Sequence, residues 1–307
     1  MITHYFKTLK DTELKKIDAV RTGVWTHVVA PTEDELVKVI GEYGLDESIV
    51  ADVQDFFEVP RMEKSGSATY FFTRYPFDEK DEDIDTAPLL IVMGESFVVT
   101  MSMREVPQFK AFIEGQTDVH TTQKARFFIQ IMDTLTKSYE YELMRLRKSV
   151  QSNREKLRKI GSREIERLVN YEHELNDMIA AVVPTNIWLQ QVTTGNYMQL
   201  FSEDVELMED LMIANNQLID SARSVMKTIQ NIRSATESIM TNKLNATIQT
   251  LTILTIILTI PTIVASLYGM NVPLPLAHNP LAFWMILTII VLAVSVVILI
   301  FKKSRWL

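Results

Sequence analysis

The sequence predicts an α/β domain that is followed by long α-helices and two membrane-spanning helices. Three observations lead to this fold class. Residues 1–120 contain short apolar runs with the alternation and β-branched content of strands. From about Thr122, charged and apolar residues interleave at the three- and four-residue spacing of helices. Between Leu244 and Phe301 there is no Asp, Glu, Lys or Arg, which is typical of membrane spans.

The charge of the 307-residue chain is unevenly distributed. Its 39 acidic and 31 basic side chains give a net charge of −8, and every acidic side chain precedes Leu244. The chain is thus an acidic body, an uncharged block and a short tail that carries Lys302, Lys303 and Arg305. This distribution excludes a nucleic-acid-binding protein that relies on a basic face. The lack of cysteine excludes disulfides and any Cys-based metal or redox site.

The α/β domain is predicted over residues 1–120. Residues 23–30 alternate like a strand, and residues 31–40 are typical of a capped helix. Further strands are predicted at residues 68–75, 89–93 and 96–101. An acidic cluster at residues 78–85 separates the first two of these strands, and we interpret it as a solvated hairpin loop.

The helical region is predicted over residues 121–245. The spacing predicts one long helix to about Met178, a turn at residues 184–195, and a second long helix that no Gly or Pro interrupts between Asn196 and Ile260. Seven apolar residues of the second helix recur at steps of three, four and seven, as in a coiled coil: Leu211, Leu218, Ala222, Val225, Ile229, Ile232 and Ile239. This seam indicates either that several copies pack around one axis or that the stalk packs against its own chain.

Membrane-spanning helices are predicted at residues 246–268 and 282–301, with an outer loop at 269–281 and a basic tail at 302–307. A helix of about 20 residues crosses a hydrocarbon core of roughly 30 Å. Lys243 and the basic tail flank the spans, whereas the loop has no Lys or Arg. By the positive-inside rule, the acidic body and the tail lie in the cytoplasm, and the protein is a multi-pass protein of the cell membrane. The alternative is that the two helices form a buried hairpin in a soluble core. A soluble core would then have to bury two uninterrupted uncharged helices of this length, which disfavours this alternative.

A polar stripe runs along the first span. Its members recur at spacings of three and four, which places them on one side of a helix: Asn245, Gln249, Thr252, Thr255, Thr259, Thr262 and Ser266. Ile, Leu and Val occupy the opposite side. We interpret the stripe as the lining of a pore. The alternative is that each threonine only donates to the carbonyl four residues earlier in its own helix or contacts a neighbouring helix.

The outer end of the first span carries a motif, Leu267-Tyr268-Gly269-Met270-Asn271, which is followed by the second span and the basic tail. In this motif and in its whole architecture the chain resembles the CorA family of divalent-cation transporters. The resemblance implies a homopentameric membrane channel in which the first spans line a central pore. Gly269, Met270 and Asn271 would form its outer mouth. A ring of Asn271 oxygens could hold a hydrated ion there, because Mg²⁺ loses its waters reluctantly.

The resemblance also implies which positions face the pore: Asn245, Ile248, Leu251, Thr255, Thr259, Thr262 and Ser266. Of these, Ile248 and Leu251 would form an apolar constriction that gates the pore by dewetting. A regulatory divalent cation is implied between the cytoplasmic domains of adjacent subunits, with Asp210 as one ligand and Asp78 as the best candidate for the other. One departure from the family pattern is the outer loop, because residues 272–282 contain no acidic side chain.

These observations predict a channel or transporter for Mg²⁺, with Co²⁺ and Ni²⁺ as further candidate ions. Mg²⁺ would be both transported and regulatory, no organic cofactor is expected, and the partners would be further copies of the chain, membrane lipid and divalent cations but not nucleic acid. A Zn²⁺ transporter of the ZntB type is an alternative that Met270 at the motif centre disfavours. A membrane-anchored coiled-coil signalling protein is another, although the loop is too short for a sensor domain. No enzyme is expected, since the sequence shows no nucleophile–base pair, phosphate loop or metal-ligand cluster.

Overall fold

The computed structural model describes residues 1–78, 84–155, 162–195, 197–272, 275 and 280–303, without the side chains at 78, 84, 153–155 and 162. Contacts divide the chain into two compact units, a first unit of Met1–Ile232 and a second unit of Arg233–Leu307. The predicted fold class is confirmed, because an α/β part comes first, long helices follow, and two apolar helices come last.

A seven-stranded sheet forms the base of the first unit. In chain order the strands are β1 (Ile2–Phe6), β2 (Lys15–Ile17), β3 (Val24–Val29), β4 (Met62–Ser65), β5 (Ala68–Asp78), β6 (Ile84–Met93) and β7 (Phe97–Ser102). Their order across the sheet is β2-β1-β3-β7-β6-β5-β4. Strands β3 and β7 pair in parallel, and the other neighbours pair antiparallel.

The four predicted strands are confirmed as β3, β5, β6 and β7, whereas strands β1, β2 and β4 were not predicted. Strands β2 and β4 are the two edges of the sheet, and they carry Lys15, Lys16, Glu63 and Lys64. Charged side chains protect an edge from pairing with another chain. The same charges remove the apolar alternation by which a strand is recognised in a sequence. Strand β1 is only five residues long.

The predicted acidic hairpin lies between β5 and β6. These strands pair antiparallel from Thr69 opposite Met93 to Asp78 opposite Ile84. The hairpin is therefore confirmed, although residues 79–83 at its tip lie outside the described part of the chain.

The predicted capped helix is confirmed as α1 (Glu33–Tyr43). The Thr32 hydroxyl accepts from the Glu35 backbone N–H at 3.3 Å, and the Glu35 carboxylate accepts from the Thr32 N–H at 3.1 Å. This reciprocal pair is a capping box. The helix ends at Gly44, whose φ of 61° is left-handed and suits a glycine. Two short helices, α2 (Glu47–Ala51) and α3 (Lys110–Ile113), complete the α/β part.

Helices cover both faces of the sheet. On one face, apolar residues of β5, β6 and β7, among them Phe72, form one buried cluster with residues of α1 and α2, among them Val39. On the other face, Trp25 and Phe71 pack with α3 and with two long helices, α4 (Lys124–Glu155) and α5 (Ser162–Val192). The first unit is therefore a helix–sheet–helix sandwich, extended by the long helices of its second face.

The prediction of one helix to Met178 is wrong, because the chain reverses direction between α4 and α5. Phe128, near the start of α4, lies 6.1 Å from Trp188, near the end of α5. Charged and apolar residues interleave in the same way in one long helix and in two antiparallel ones, so their spacing conceals a reversal. The turn predicted at residues 184–195 is confirmed only at the end of that range, and its predicted start at Pro184 is wrong. Pro184 lies inside α5, and Trp188, Leu189 and other buried residues hold the following turns in the core; the turn comes later, at residues 193–195.

The apolar seam belongs to α6 (Ser202–Tyr268), the longest helix of the described chain. Its members from Leu218 to Ile232 are at most 6% exposed within a single chain. They pack with α4 residues such as Leu146 and α5 residues such as Leu175. Of the remaining members, Leu211 belongs to the core under the sheet and Ile239 is half-buried. The interpretation that several copies pack along this seam is therefore wrong for Leu218–Ile232, and the alternative, packing against its own chain, is correct.

The second unit contains the end of α6 and helix α7 (Ala282–Lys303). Both helices are long and apolar enough to cross a membrane. Each has one half-buried stripe at helical spacing. In α6 the stripe includes Ile253, Ile256 and Ile260, and in α7 it includes Ile286 and Ile290. These stripes mark the packed sides of the two helices, and the remaining sides are exposed.

Candidate functional site

The polar stripe of α6 lies mainly on its exposed side. The positions that the family resemblance assigns to a pore are all exposed in the second unit: Asn245, Ile248, Leu251, Thr255, Thr259, Thr262 and Ser266. Gln249 and Thr252, which the spacing also placed in the stripe, are half-buried instead. They flank Ile253, which is only 6% exposed. The structure thus separates the seven exposed positions from two polar residues on the packed side of the helix.

The threonine hydroxyls of this exposed side donate to their own helix. Thr255 donates to the Leu251 carbonyl at 2.8 Å, Thr259 to the Thr255 carbonyl at 2.7 Å, and Thr262 to the Leu258 carbonyl at 2.8 Å. This is the bonding of the alternative interpretation, but it does not exclude a pore. A hydroxyl has one hydrogen and two lone pairs. Once the hydrogen is used within the helix, the exposed oxygen can act only as an acceptor.

Helix α6 ends at Tyr268, immediately before Gly269, Met270 and Asn271. The Gly269 N–H donates to the Ala265 carbonyl at 2.9 Å, and the Met270 N–H donates to Leu267 at 3.2 Å. Gly269 is not among the glycines with a positive φ. Its backbone therefore lies outside the left-handed region that favours glycine. A Cβ at this position would lie 3.3 Å from the Ala265 carbonyl oxygen, a close approach that glycine avoids.

Asn271 and Met270 are exposed beyond the helix end. The Tyr268 hydroxyl donates to the Pro275 carbonyl at 3.3 Å, which ties the helix end to the outer loop. Pro273, His278 and Asn279 of that loop lie outside the described residues, as do residues 304–307 of the basic tail.

The two predicted regulatory ligands lie on different elements of the first unit. Asp210 is exposed on α6, and Asp78 is the last residue of β5, with its side chain outside the described residues. Among the described residues, no group of three or more His, Asp or Glu side chains is arranged to hold a metal ion. A metal bound at Asp210 would therefore need ligands beyond those that the structure describes in one chain.

Comparison with known proteins identifies the family. A family model described as "CorA-like Mg2+ transporter protein" matches residues 21–303. The chain belongs to the CorA family. Among its relatives, the cobalt/magnesium transport protein CorA of Methanocaldococcus jannaschii is 25% identical over 301 residues, which cover 92% of this chain and 91% of that protein. As the CorA family consists of ion transporters, the expectation that the chain is not an enzyme holds in these general terms.

Solved structures show the CorA fold in this chain. The complete structure of the CorA magnesium transporter from Methanocaldococcus jannaschii matches with a TM-score of 0.88 and 22% identity over 100% of this chain and 99% of that one. The ZntB cytoplasmic domain from Vibrio parahaemolyticus matches with a TM-score of 0.63 and 10% identity, over 79% of this chain and 98% of that one. At these identities the likeness concerns the fold alone.

Proposed function

We propose that this CorA-family protein is a homopentameric channel for Mg²⁺ in the cell membrane, with the exposed side of α6 lining the pore. The observation that carries the proposal is the division of α6 into two sides. All seven family pore positions are exposed in the single chain, whereas Ile253, Ile256 and Ile260 on the packed side are buried or half-buried. If the pore forms between several copies around an axis, the side of α6 that lines it is expected to be exposed in a single subunit. Relatives named cobalt/magnesium transport proteins support Co²⁺ as a second ion, and Ni²⁺ is the third candidate.

The hydrogen bonds of the pore side fit a hydrated cation. Mg²⁺ retains its waters strongly, and a water bound to a cation directs its hydrogens outward. Groups along the path must therefore accept hydrogen bonds. Thr255, Thr259 and Thr262 offer oxygens whose own hydrogens are already donated to the helix. These residues follow at about one turn, roughly 5 Å, so the hydration shell meets an acceptor at each step.

At the outer mouth, we propose that Gly269, Met270 and Asn271 from five copies form the entrance. The Asn271 side chain is exposed and offers a neutral oxygen. Repeated around an axis, it can accept from the waters of an entering ion, together with backbone carbonyls near Gly269. No carboxylate in the sequence of the outer loop concentrates cations at this entrance.

At the inner end, we propose that Ile248 and Leu251 gate the pore. Their side chains are 52% and 63% exposed on the pore side of α6. A ring of such apolar side chains excludes water when it narrows, and an ion that travels with its waters is then stopped.

We further propose that Mg²⁺ on the cytoplasmic side favours the closed channel by binding at Asp210 of one subunit and Asp78 of its neighbour. Carboxylates brought together across an interface repel each other unless a cation lies between them. The lack of a complete metal-binding group among the described residues of one chain fits a site shared between copies. The cytoplasmic location follows from the positive-inside rule, since Lys302 and Lys303 follow the second span.

Uptake of metal into proteoliposomes tests the proposal. We expect Mg²⁺ uptake by the wild type and loss of uptake in Asn271→Ala, with Val272→Ala as a control that leaves uptake intact. Both variants must elute as the wild-type oligomer. Wild-type flux in an Asn271→Ala protein that assembles normally would refute the proposal that Asn271 forms the entrance of the pore. Zn²⁺ uptake without Mg²⁺ uptake would favour the ZntB-like alternative, and no uptake of either ion would favour the signalling alternative.

Thiol accessibility tests the pore side separately. The chain has no native cysteine, so the background reaction is low. We expect Thr259→Cys to react with a water-soluble thiol reagent in the open state and the reaction to block flux. Ile257→Cys, on the half-buried side, should not react. If neither cysteine reacts with the reagent, the threonine side of α6 does not line the pore.

A further inference from the structure

A small polar cavity lies inside the first unit, where β5, α4, α5 and α6 meet. Its volume of about 10 Å³ for the centre of a water-sized sphere admits one water molecule. Its polar lining comes from four elements: Thr73, Arg74, Thr136, Tyr139, Thr185 and Asn215. All of these except Arg74 are at most 4% exposed. The cavity is separate from the exposed side of α6 proposed as the pore.

Two groups that line this cavity lack hydrogen-bond partners among the described residues. They are the Tyr139 hydroxyl and the Asn215 amide nitrogen. Tyr139 is 3% exposed and Asn215 is 1% exposed, so bulk water does not reach them. Buried polar groups in proteins almost always have a partner, either in the protein or in an ordered water.

Counting hydrogens shows what kind of partner is needed. The Thr136 hydroxyl has one hydrogen but lies 3.0 Å from the Met132 carbonyl and 2.9 Å from the Asn215 amide oxygen. If the hydrogen goes to Met132, the Asn215 amide satisfies Thr136 by turning its nitrogen toward it. The amide oxygen of Asn215 then faces the cavity and requires a donor.

The other two threonines give the same result. Thr185 donates to the Ala181 carbonyl at 2.8 Å, so at its 3.2 Å contact with Thr73 it can only accept. The hydrogens of Thr73, Thr136 and Thr185 are then all used. With the Asn215 amide turned so that its nitrogen faces Thr136, the Tyr139 hydroxyl still has a hydrogen to donate and the Asn215 oxygen still has to be satisfied. A group that both accepts and donates fits between them.

We propose that this cavity binds one ordered water molecule and that the resulting polar cluster fixes α6 in a single register against α4, α5 and β5. The water accepts from Tyr139 and donates to Asn215 and to a threonine oxygen. The apolar seam of α6 does not define the register alone, because its residues repeat and a slide by a turn or a heptad brings similar side chains together. A buried amide in such a seam forms its bonds in one register only, as a buried Asn does in coiled coils.

The register matters because α6 continues as one helix from Asn215 to Tyr268. Asn215 therefore lies on the same helix as the exposed threonines. This inference concerns the packing of the first unit and does not depend on which ion is transported.

A structure of the full-length protein at a resolution that shows ordered waters tests the binding site. We expect one water at about 2.8 Å from the Tyr139 hydroxyl and within hydrogen-bond distance of Asn215. In Tyr139→Phe this water should be lost or reduced in occupancy while the fold is retained. A direct bond between Tyr139 and Asn215, or a well-resolved cavity without density, would overturn the proposed site.

Spin-label distances test the register. Labels at Met144→Cys on α4 and Gln217→Cys on α6, both exposed positions, report the slide of one helix along the other. Labelled subunits are diluted with unlabelled ones so that distances within a chain dominate. We expect one narrow distance distribution in the wild type. In Asn215→Leu we expect a broader distribution or a second population displaced by about one turn, roughly 5 Å.

Asn216→Leu is the matched control, since it removes an exposed amide from the neighbouring position of α6, where Asn186 donates to it at 2.9 Å. Its distance distribution should equal that of the wild type. Tyr139→Phe provides a second test if Asn215→Leu fails to fold, and it too should broaden the distribution. An unchanged narrow distribution in a folded Asn215→Leu or Tyr139→Phe protein would refute the register function.

Discussion

The buried His27 is expected to make the stability of the first unit depend on pH. His27 lies on β3, is 7% exposed, and packs against the rings of Trp25 and Phe109 at 5.5 and 5.2 Å. Trp25 donates to the Thr100 hydroxyl oxygen at 2.9 Å, which leaves the Thr100 hydrogen free for the His27 Nδ1 at 3.0 Å. When the Thr100 hydroxyl donates to Nδ1 in this way, the ring is neutral. Burial, together with a smaller effect of the positive chain terminus, lowers the pKa of His27 from 6.5 to about 4.

The sign and size of the effect follow from this pKa. In the unfolded chain the ring binds its proton near pH 6.5, whereas in the folded chain it does so only near pH 4. Between these values the unfolded state binds more protons, so the free energy of unfolding falls as the pH falls. The contribution is complete above pH 6.5 and lost by about pH 4. One pKa unit corresponds to about 1.4 kcal/mol, so His27 accounts for a loss of about 3 kcal/mol.

Urea unfolding of the full-length protein in detergent, followed by tryptophan fluorescence from pH 7.5 to 4, measures this loss. In His27→Gln the free energy of unfolding should be lower at neutral pH but should depend less on pH, by about 3 kcal/mol over the window. His4→Gln, which removes a half-buried histidine on the neighbouring β1, should keep the wild-type slope. If wild type and His27→Gln lose stability in parallel between pH 6.5 and 4, His27 is not the group responsible.

Four further substitutions test other parts of the structure. Ile229→Ala removes a fully buried seam residue and should lower the free energy of unfolding in urea by about 2–5 kcal/mol. Ile213→Ala, at a 54% exposed site on the same helix, should change that free energy by less than about 0.5 kcal/mol. Equal losses in the two variants would contradict the packing of the seam. Thr32→Ala removes the α1 capping box and should cost about 1 kcal/mol in the same assay, and no loss would show that the cap contributes nothing. Asp210→Ala should weaken both the closure by internal Mg²⁺ and the protection by Mg²⁺ against protease; unchanged protection would make Asp210 an ordinary surface residue. Gly269→Ala places a Cβ 3.3 Å from the Ala265 carbonyl and should lower uptake by the assembled protein, and full uptake would show that the mouth tolerates the shift.

The sequence was sufficient for those parts of the fold in which one segment determines its own environment. The apolar helices, the central strands and α1 with Thr32 are of this kind. The sequence was insufficient for those parts of the fold in which contacts with a distant segment determine the local structure. The turn was predicted to start at Pro184, but the burial of Trp188 and Leu189 keeps α5 helical as far as Val192. Charged edge strands and the reversal between α4 and α5 were missed because neither changes the local spacing of apolar residues.

The candidate site divides in the same way. The spacing of polar residues located the stripe of α6, but it could not separate Thr252 from Thr255, because both lie within one turn and only packing makes Thr252 half-buried. The motif at Asn271 was found from the residues themselves. The cavity between Tyr139 and Asn215 had no signal in the sequence, because four elements create it jointly.

The closure of the α6 seam by α4 and α5 of the same chain has a consequence for biosynthesis. The first unit, Met1–Ile232, precedes both spans in chain order. At about 5–20 residues per second, the chain between Ile232 and the first span takes on the order of one second to synthesise, and most small domains fold within that time. A seam that could be buried only by neighbouring copies would leave its apolar residues exposed during synthesis, and exposed apolar residues promote aggregation. A seam closed within the chain lets the unit finish folding before the first span emerges, so that the subunits of the proposed pentamer would meet already folded.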